Sequence, residues 1–132
     1  MVMKVLTLSI KQKFFDEILA GTKTHEYREI RPNNSNKYIT YISGDKEYKL
    51  PEDIPAEVKE TEINIIKYDA IKFLTGAYVG KRPYAIVEVK DADVYILTDE
   101  NGEDISYEYK GKVYYAAQID YTLGKVLEKH ID

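Results

Sequence analysis

With 132 residues and a formal net charge of −4, the chain has the size of one domain, enough to bury roughly two-thirds of its unfolded surface. It contains no cysteine, which excludes disulfides, thiolate metal sites and cysteine nucleophiles, and no apolar run approaches the ~20 residues of a bilayer-spanning helix. The acidic balance argues against a broad phosphate-neutralising face for duplex DNA, so any nucleic-acid contact must be local.

The first residues mix apolar and charged types too closely for a secretory leader, and a cytoplasmic protein is expected. Residues 2–8 are β-prone and one strand long. Ser9 with Gln12 three residues on has the form of a capping box. Ile10, Phe14 and Ile18, flanked by Phe15 and Leu19, make one apolar stripe and predict a helix over 10–20. Gly21 stands where a left-handed residue would end it. Lys11 and Lys13 occupy the first turn, against the helix dipole; they are either solvated side chains or part of an anion-binding mouth.

A polar loop follows Pro32, and 38–42 alternates like a strand. Residues 46–62, with Pro51 and Pro55 among many charges, read as an excursion or lid with a helical turn near 55–60. Strands are expected at 68–74 and 84–89, the second continuing toward Ile96, and again at 105–109 and 113–120. Asn101-Gly102 is a hairpin signal, and 123–127 is read as a short terminal strand or helical turn. There are 13 tyrosines against three phenylalanines and no tryptophan; tyrosine suits half-buried strands and also offers faces on which bases stack. One helix with many short strands predicts an α+β domain, a small, mostly antiparallel, closed or nearly closed β-barrel.

Between the helix and the next strand lies Gly21-Thr22-Lys23-Thr24-His25-Glu26-Tyr27-Arg28. If the strand begins at Thr24, then Thr24, Glu26 and Arg28 share one face. A Glu26–Arg28 surface pair would be worth at most about 1 kcal/mol. A guanidinium, an ammonium, a carboxylate and hydroxyls placed by a capped helix can also grip a polar planar ring, with the carboxylate accepting and the cations donating.

The pattern Gly-x-Lys-x-x-Glu-x-Arg after a helix ending Ile18-Leu19-Ala20 resembles the signature of the ASCH superfamily, small β-barrels related to the RNA-binding PUA domain. The likeness covers 4–31, with a weaker echo at 68–76 and at the strand holding Glu88; 33–64 has no counterpart and reads as an insertion or lid within a single 1–132 domain. The resemblance implies RNA or nucleotide binding in a cleft beside the helix, with Lys11, Lys23, Thr24, Glu26 and Arg28 as ligand-binding residues. One branch of the superfamily resembles amidohydrolases that deacetylate N4-acetylcytidine with a lysine, a threonine nucleophile three residues later and a distant glutamate. Lys23 matches, but the threonine position holds Glu26. Thr24 is displaced by roughly 6–7 Å along a strand. Glu88 is the candidate for the distant glutamate. An enzyme of this type would then use Lys23 and Glu26 as its catalytic groups, Glu26 as base for a bound water and Lys23 on the oxyanion. A third class is an adaptor whose tyrosine-rich sheet meets a protein.

His25 and His130 are the only histidines, and a zinc site would need carboxylates to complete it. Neither a metal nor a cofactor is expected, nor is a membrane partner. The sequence carries no signal for oligomeric state.

Overall fold

Alternation within the first strand already fixes which side of the sheet is covered. In the computed structural model, which describes residues 2–76 and 82–131, β1 (Val5–Ser9) turns Leu6 and Leu8 inward and exposes Val5, Thr7 and Ser9. The other elements are α1 (Gln12–Ala20), β2 (His25–Ile30), β3 (Ile39–Ser43), β4 (Lys46–Tyr48), β5 (Glu62–Ile65), β6 (Ala70–Leu74), β7 (Tyr84–Ile96), β8 (Ser106–Tyr109), β9 (Lys112–Tyr115) and β10 (Ala117–His130), with short 3-10 turns at Ser35–Lys37 and Pro51–Asp53. The fold is α+β. The strands form three sheets, ordered β1-β6-β7-β10-β2, β4-β3-β5 and β8-β9. The order of each runs from edge to edge, without a ring among the described residues. β1 runs parallel to β6, whereas the β3–β4, β3–β5, β6–β7 and β8–β9 ladders are antiparallel.

The chain divides into two compact units, one of Met1–Glu26, Lys67–Ala92 and Tyr121–Asp132, the other of Tyr27–Ile66 and Asp93–Asp120. In the first, register builds the core in rows. Leu6 lies opposite Ile71 and Ile71 opposite Val87; Leu8 lies opposite Phe73 and Phe73 opposite Ala85. All six are buried, as are Tyr121 and Leu123 of β10 and Phe15 and Ile18 of α1. Each large side chain contributes about 1.5–3 kcal/mol through removal from water.

The helix starts later than its capping pattern predicts. Ser9 pairs with Leu74 as the last residue of β1, and Ile10 continues the contact by donating to the Leu74 carbonyl at 2.8 Å. Strand pairing therefore claims Ser9, and the N-cap falls on Lys11, which makes no side-chain cap bond. Gln12 is used elsewhere: its Nε2 donates to Asp16, and its Oε1 accepts from the buried Thr75 hydroxyl at 3.2 Å. The helix ends as expected, with Gly21 at φ 81°, a backbone angle that glycine adopts without a Cβ penalty.

In the second unit the 46–62 segment supplies β4, the Pro51–Asp53 turn and the approach to β5, so that β3 has a partner on both edges. The tight hairpin is at Lys110-Gly111, where Tyr109 pairs with Lys112 and the two loop residues have φ 50° and 79°. That is the two-residue, doubly left-handed turn that matches strand twist. Asn101-Gly102 also turns the chain, with Gly102 at φ 81°, flanked by the isolated bridge Thr98–Asp104 and by the Asp99–Glu103 and Leu97–Ile105 backbone bonds in place of a named strand pair. The separate short strand expected at 123–127 is part of the 14-residue β10. The break falls instead at Ala116, whose N–H and C=O are bonded to Ile105 and Leu97.

Candidate functional site

The turn between α1 and β2 is held at both ends. The Thr22 and Lys23 N–H groups both donate to the Glu17 carbonyl, at 3.0 and 3.1 Å, and the Thr22 hydroxyl reaches the same oxygen at 3.2 Å. At the far end the Leu123 N–H of β10 donates to the Thr24 carbonyl at 2.8 Å. Helix-terminal carbonyls need such partners, and satisfying them here fixes the path of Lys23 and Thr24.

On this frame Lys23 Nζ lies 3.3 Å from Glu26 Oε1. Glu26 is 5% exposed, and the lysine side chain retains 19% of its surface. Carboxylates are almost never buried so far unless paired, and a pair this dry has a stronger mutual attraction than one in bulk water. Lys23 Nζ also sits 5.5 Å from the centre of the Phe14 ring, a cation–π approach. Phe14 is 38% exposed, so the pair opens toward water beside an aromatic face.

The strand begins at His25, one residue later than the single-face reading of Thr24, Glu26 and Arg28 requires. Thr24 lies outside it and is exposed, whereas Glu26 is buried and Arg28 half-buried in the alternation of β2. The structure thus brings Lys23 and Glu26 together, sets Arg28 two residues on along the same strand, and leaves Thr24 in the preceding turn. Arg28 falls in the second unit and the others in the first. Lys11 is exposed at the N-cap of α1.

Glu88 lies on β7 opposite Ala70, on the side of the strand away from Val87. Its Oε1 accepts a long bond of 3.4 Å from the Lys125 N–H, and its carboxylate fills the space where a side chain at Gly124 would stand. Phe14 and the two bracing groups, the Glu17 carbonyl and the Leu123 N–H, were not legible as site components. Phe14 carried only the signal of a helix stripe, and backbone groups carry no residue-type signal at all.

Among the described residues no three histidine, cysteine, aspartate or glutamate side chains cluster as metal ligands, and no helix is long and apolar enough to cross a membrane.

A helix closed by Gly21 thus leads into a turn and strand that carry a lysine–glutamate pair, within an α+β fold. The family model of the ASCH domain matches residues 8–129, nearly the whole chain, and the protein belongs to that family. No curated protein and no solved structure matches the chain.

Proposed function

We propose that this protein is an RNA- or nucleotide-binding ASCH domain whose ligand meets the chain at the exit of α1. The observation that carries this reading is the Lys23–Glu26 pair, a nearly buried carboxylate 3.3 Å from an ammonium that is still open to water. Such a pair offers an acceptor and a donor at fixed separation to the edge of a nucleobase, with the Phe14 ring alongside. Arg28 adds a planar donor further along the strand, Thr24 a hydroxyl in the turn, and Lys11 a cation for phosphate. The family implies that the sheets belong to a PUA-like barrel and that 1–132 acts as a single domain. With a net charge of −4, few phosphate contacts are expected.

A second reading rests on the same pair. Glu26 could take a proton from a water attacking the acyl carbon of a modified nucleoside such as N4-acetylcytidine, while Lys23 stabilises the oxyanion; collapse then releases the carboxylate and protonates the departing amine. The exposed position of Thr24 in the turn disfavours a threonine nucleophile.

Fluorescence anisotropy of a short labelled single-stranded RNA at low and physiological salt tests the first reading. Saturable binding that Lys23→Ala and Arg28→Glu abolish supports it, with a shallow salt slope for few phosphates. Absence of binding at low salt overturns it. Turnover of acylated nucleosides that disappears in Lys23→Ala would move the assignment to the hydrolase.

A further inference from the structure

The second unit holds a cavity of about 400 Å³ that the signature does not touch, within the ~300–1,000 Å³ range of small-molecule sites. Asn33 and Asn36 line one side, and Tyr109, Lys110, Lys112 and Tyr114 of the β8–β9 hairpin line another, with Glu52 also on the wall. The loop side is braced by Asn34, whose side chain accepts from the Arg31 N–H at 2.8 Å and donates to the Glu29 carbonyl at 3.3 Å.

The hairpin side is a run of rings and cations. Tyr114 meets Tyr109 edge-on with centroids 6.4 Å apart and stacks on Tyr107 at 6.0 Å, spacings at which aromatic rings attract one another. Arg31 lies 4.9 Å from the Tyr107 ring and Lys110 Nζ 5.3 Å from the Tyr109 ring. Lys110 is the described non-glycine residue with positive φ, at 50°. A left-handed backbone is unfavourable for an ordinary side chain, and asparagine or glycine would fill this turn position with less strain. Strain of this kind gathers at functional sites.

The geometry points to a second binding site here, for a nucleobase with its phosphate, the unit shared by single-stranded RNA and free nucleotides. The base lies against Tyr109 and Tyr114, its edge meets the amides of Asn33 and Asn36 and the Glu52 carboxylate, and Lys110 and Lys112 face the phosphate. Base–aromatic stacking tolerates any base, lysine serves phosphate as a point charge, and an unpaired base is required because a duplex keeps its faces stacked. The site is independent of the α1 exit and stands whether or not ligand binds there.

The test is a ¹⁵N chemical-shift titration of the full chain with hexa-adenylate RNA and, separately, with adenosine 5′-monophosphate. Shifts are expected at the amides of residues 109–114 and 33–36, with quenching of tyrosine emission. Shifts with both probes assign the site to the mononucleotide unit, and shifts with the RNA alone assign it to a strand. Tyr109→Ala should weaken binding about fivefold or more, while Tyr109→Phe, which keeps the ring, should stay near wild type. Lys112→Glu, at an exposed strand position, should weaken binding and lower the salt slope by about one. Lys23→Ala should leave the 109–114 shifts in place, which separates this site from the one at the α1 exit. Shifts confined to 22–28, no shifts at millimolar ligand, or indifference to Lys112→Glu would overturn it.

Discussion

Phe15 and Val113 mark the contrast between the two units. Phe15, in the first, is 1% exposed among Leu, Ile and Phe side chains set in register, and the Glu26 carboxylate that pairs with Lys23 is itself nearly buried. Val113, in the second, is 69% exposed, with Tyr115 at 58%, and the cations Arg31 and Lys110 lie over tyrosine rings. In the first unit cations also meet aromatic rings, Lys23 at Phe14 and Lys72 at Tyr84, and Lys23 is held in addition by the buried carboxylate of Glu26. In the second unit the rings that meet Arg31 and Lys110 belong to the β8–β9 hairpin, most of whose residues are exposed or half-buried.

The sharpest test of that contrast is core truncation. Phe15→Ala should cost about 3–5 kcal/mol and Val113→Ala less than about 0.5 kcal/mol, read as shifts in urea midpoint; equal losses would erase the distinction. Glu26→Ala comes next, at about 1–3 kcal/mol, because it strands a part-buried ammonium. Glu26→Gln, which keeps an acceptor, should recover part of that stability while binding at the α1 exit is still impaired. Lys110→Asn should have the opposite sign, stabilising by about 0.5–1 kcal/mol as the left-handed strain is relieved while weakening nucleotide binding, a trade of stability for function.

The smallest effect is alkaline. Burial holds the Tyr41 hydroxyl above its ordinary 10.0, against an opposing pull from the Ser35 hydroxyl and with a further push from Tyr114. A folded value above the unfolded one means that this contribution to stability is complete below about pH 10 and is lost as pH rises through the folded value. Absorbance titration of tyrosinate should show a late-ionising group of tyrosines, since Tyr84, Tyr95 and Tyr107 are also raised, and Tyr41→Phe should reduce the amplitude of that late step by one tyrosine without abolishing it.

Much of the first unit was legible because its signals are local. The Ile10, Phe14, Ile18 stripe and Gly21 marked the helix and its end, and the spacing of Lys23 and Glu26 marked the signature. The start of the helix was misplaced by about one half-turn, since a capping pattern at Ser9 competes with a β ladder whose partner, Leu74, lies far along the chain. The same reason hid the partners of the expected strand at 38–42, where proline and charge in 46–62 masked β4 and the start of β5, whose pairing with β3 is set from across the loop.

Residue type and short spacing were enough for the α+β class, the helix, most strand positions and the identity of the charged residues at the helix exit. Long-range pairing was needed to bury Glu26 against Lys23, to leave Thr24 outside the strand, and to bring Asn33, Tyr109 and Lys110 to one cavity. Burial and cavity walls depend on which distant strands pair, and strand pairing is a contest between ladders that no local pattern records.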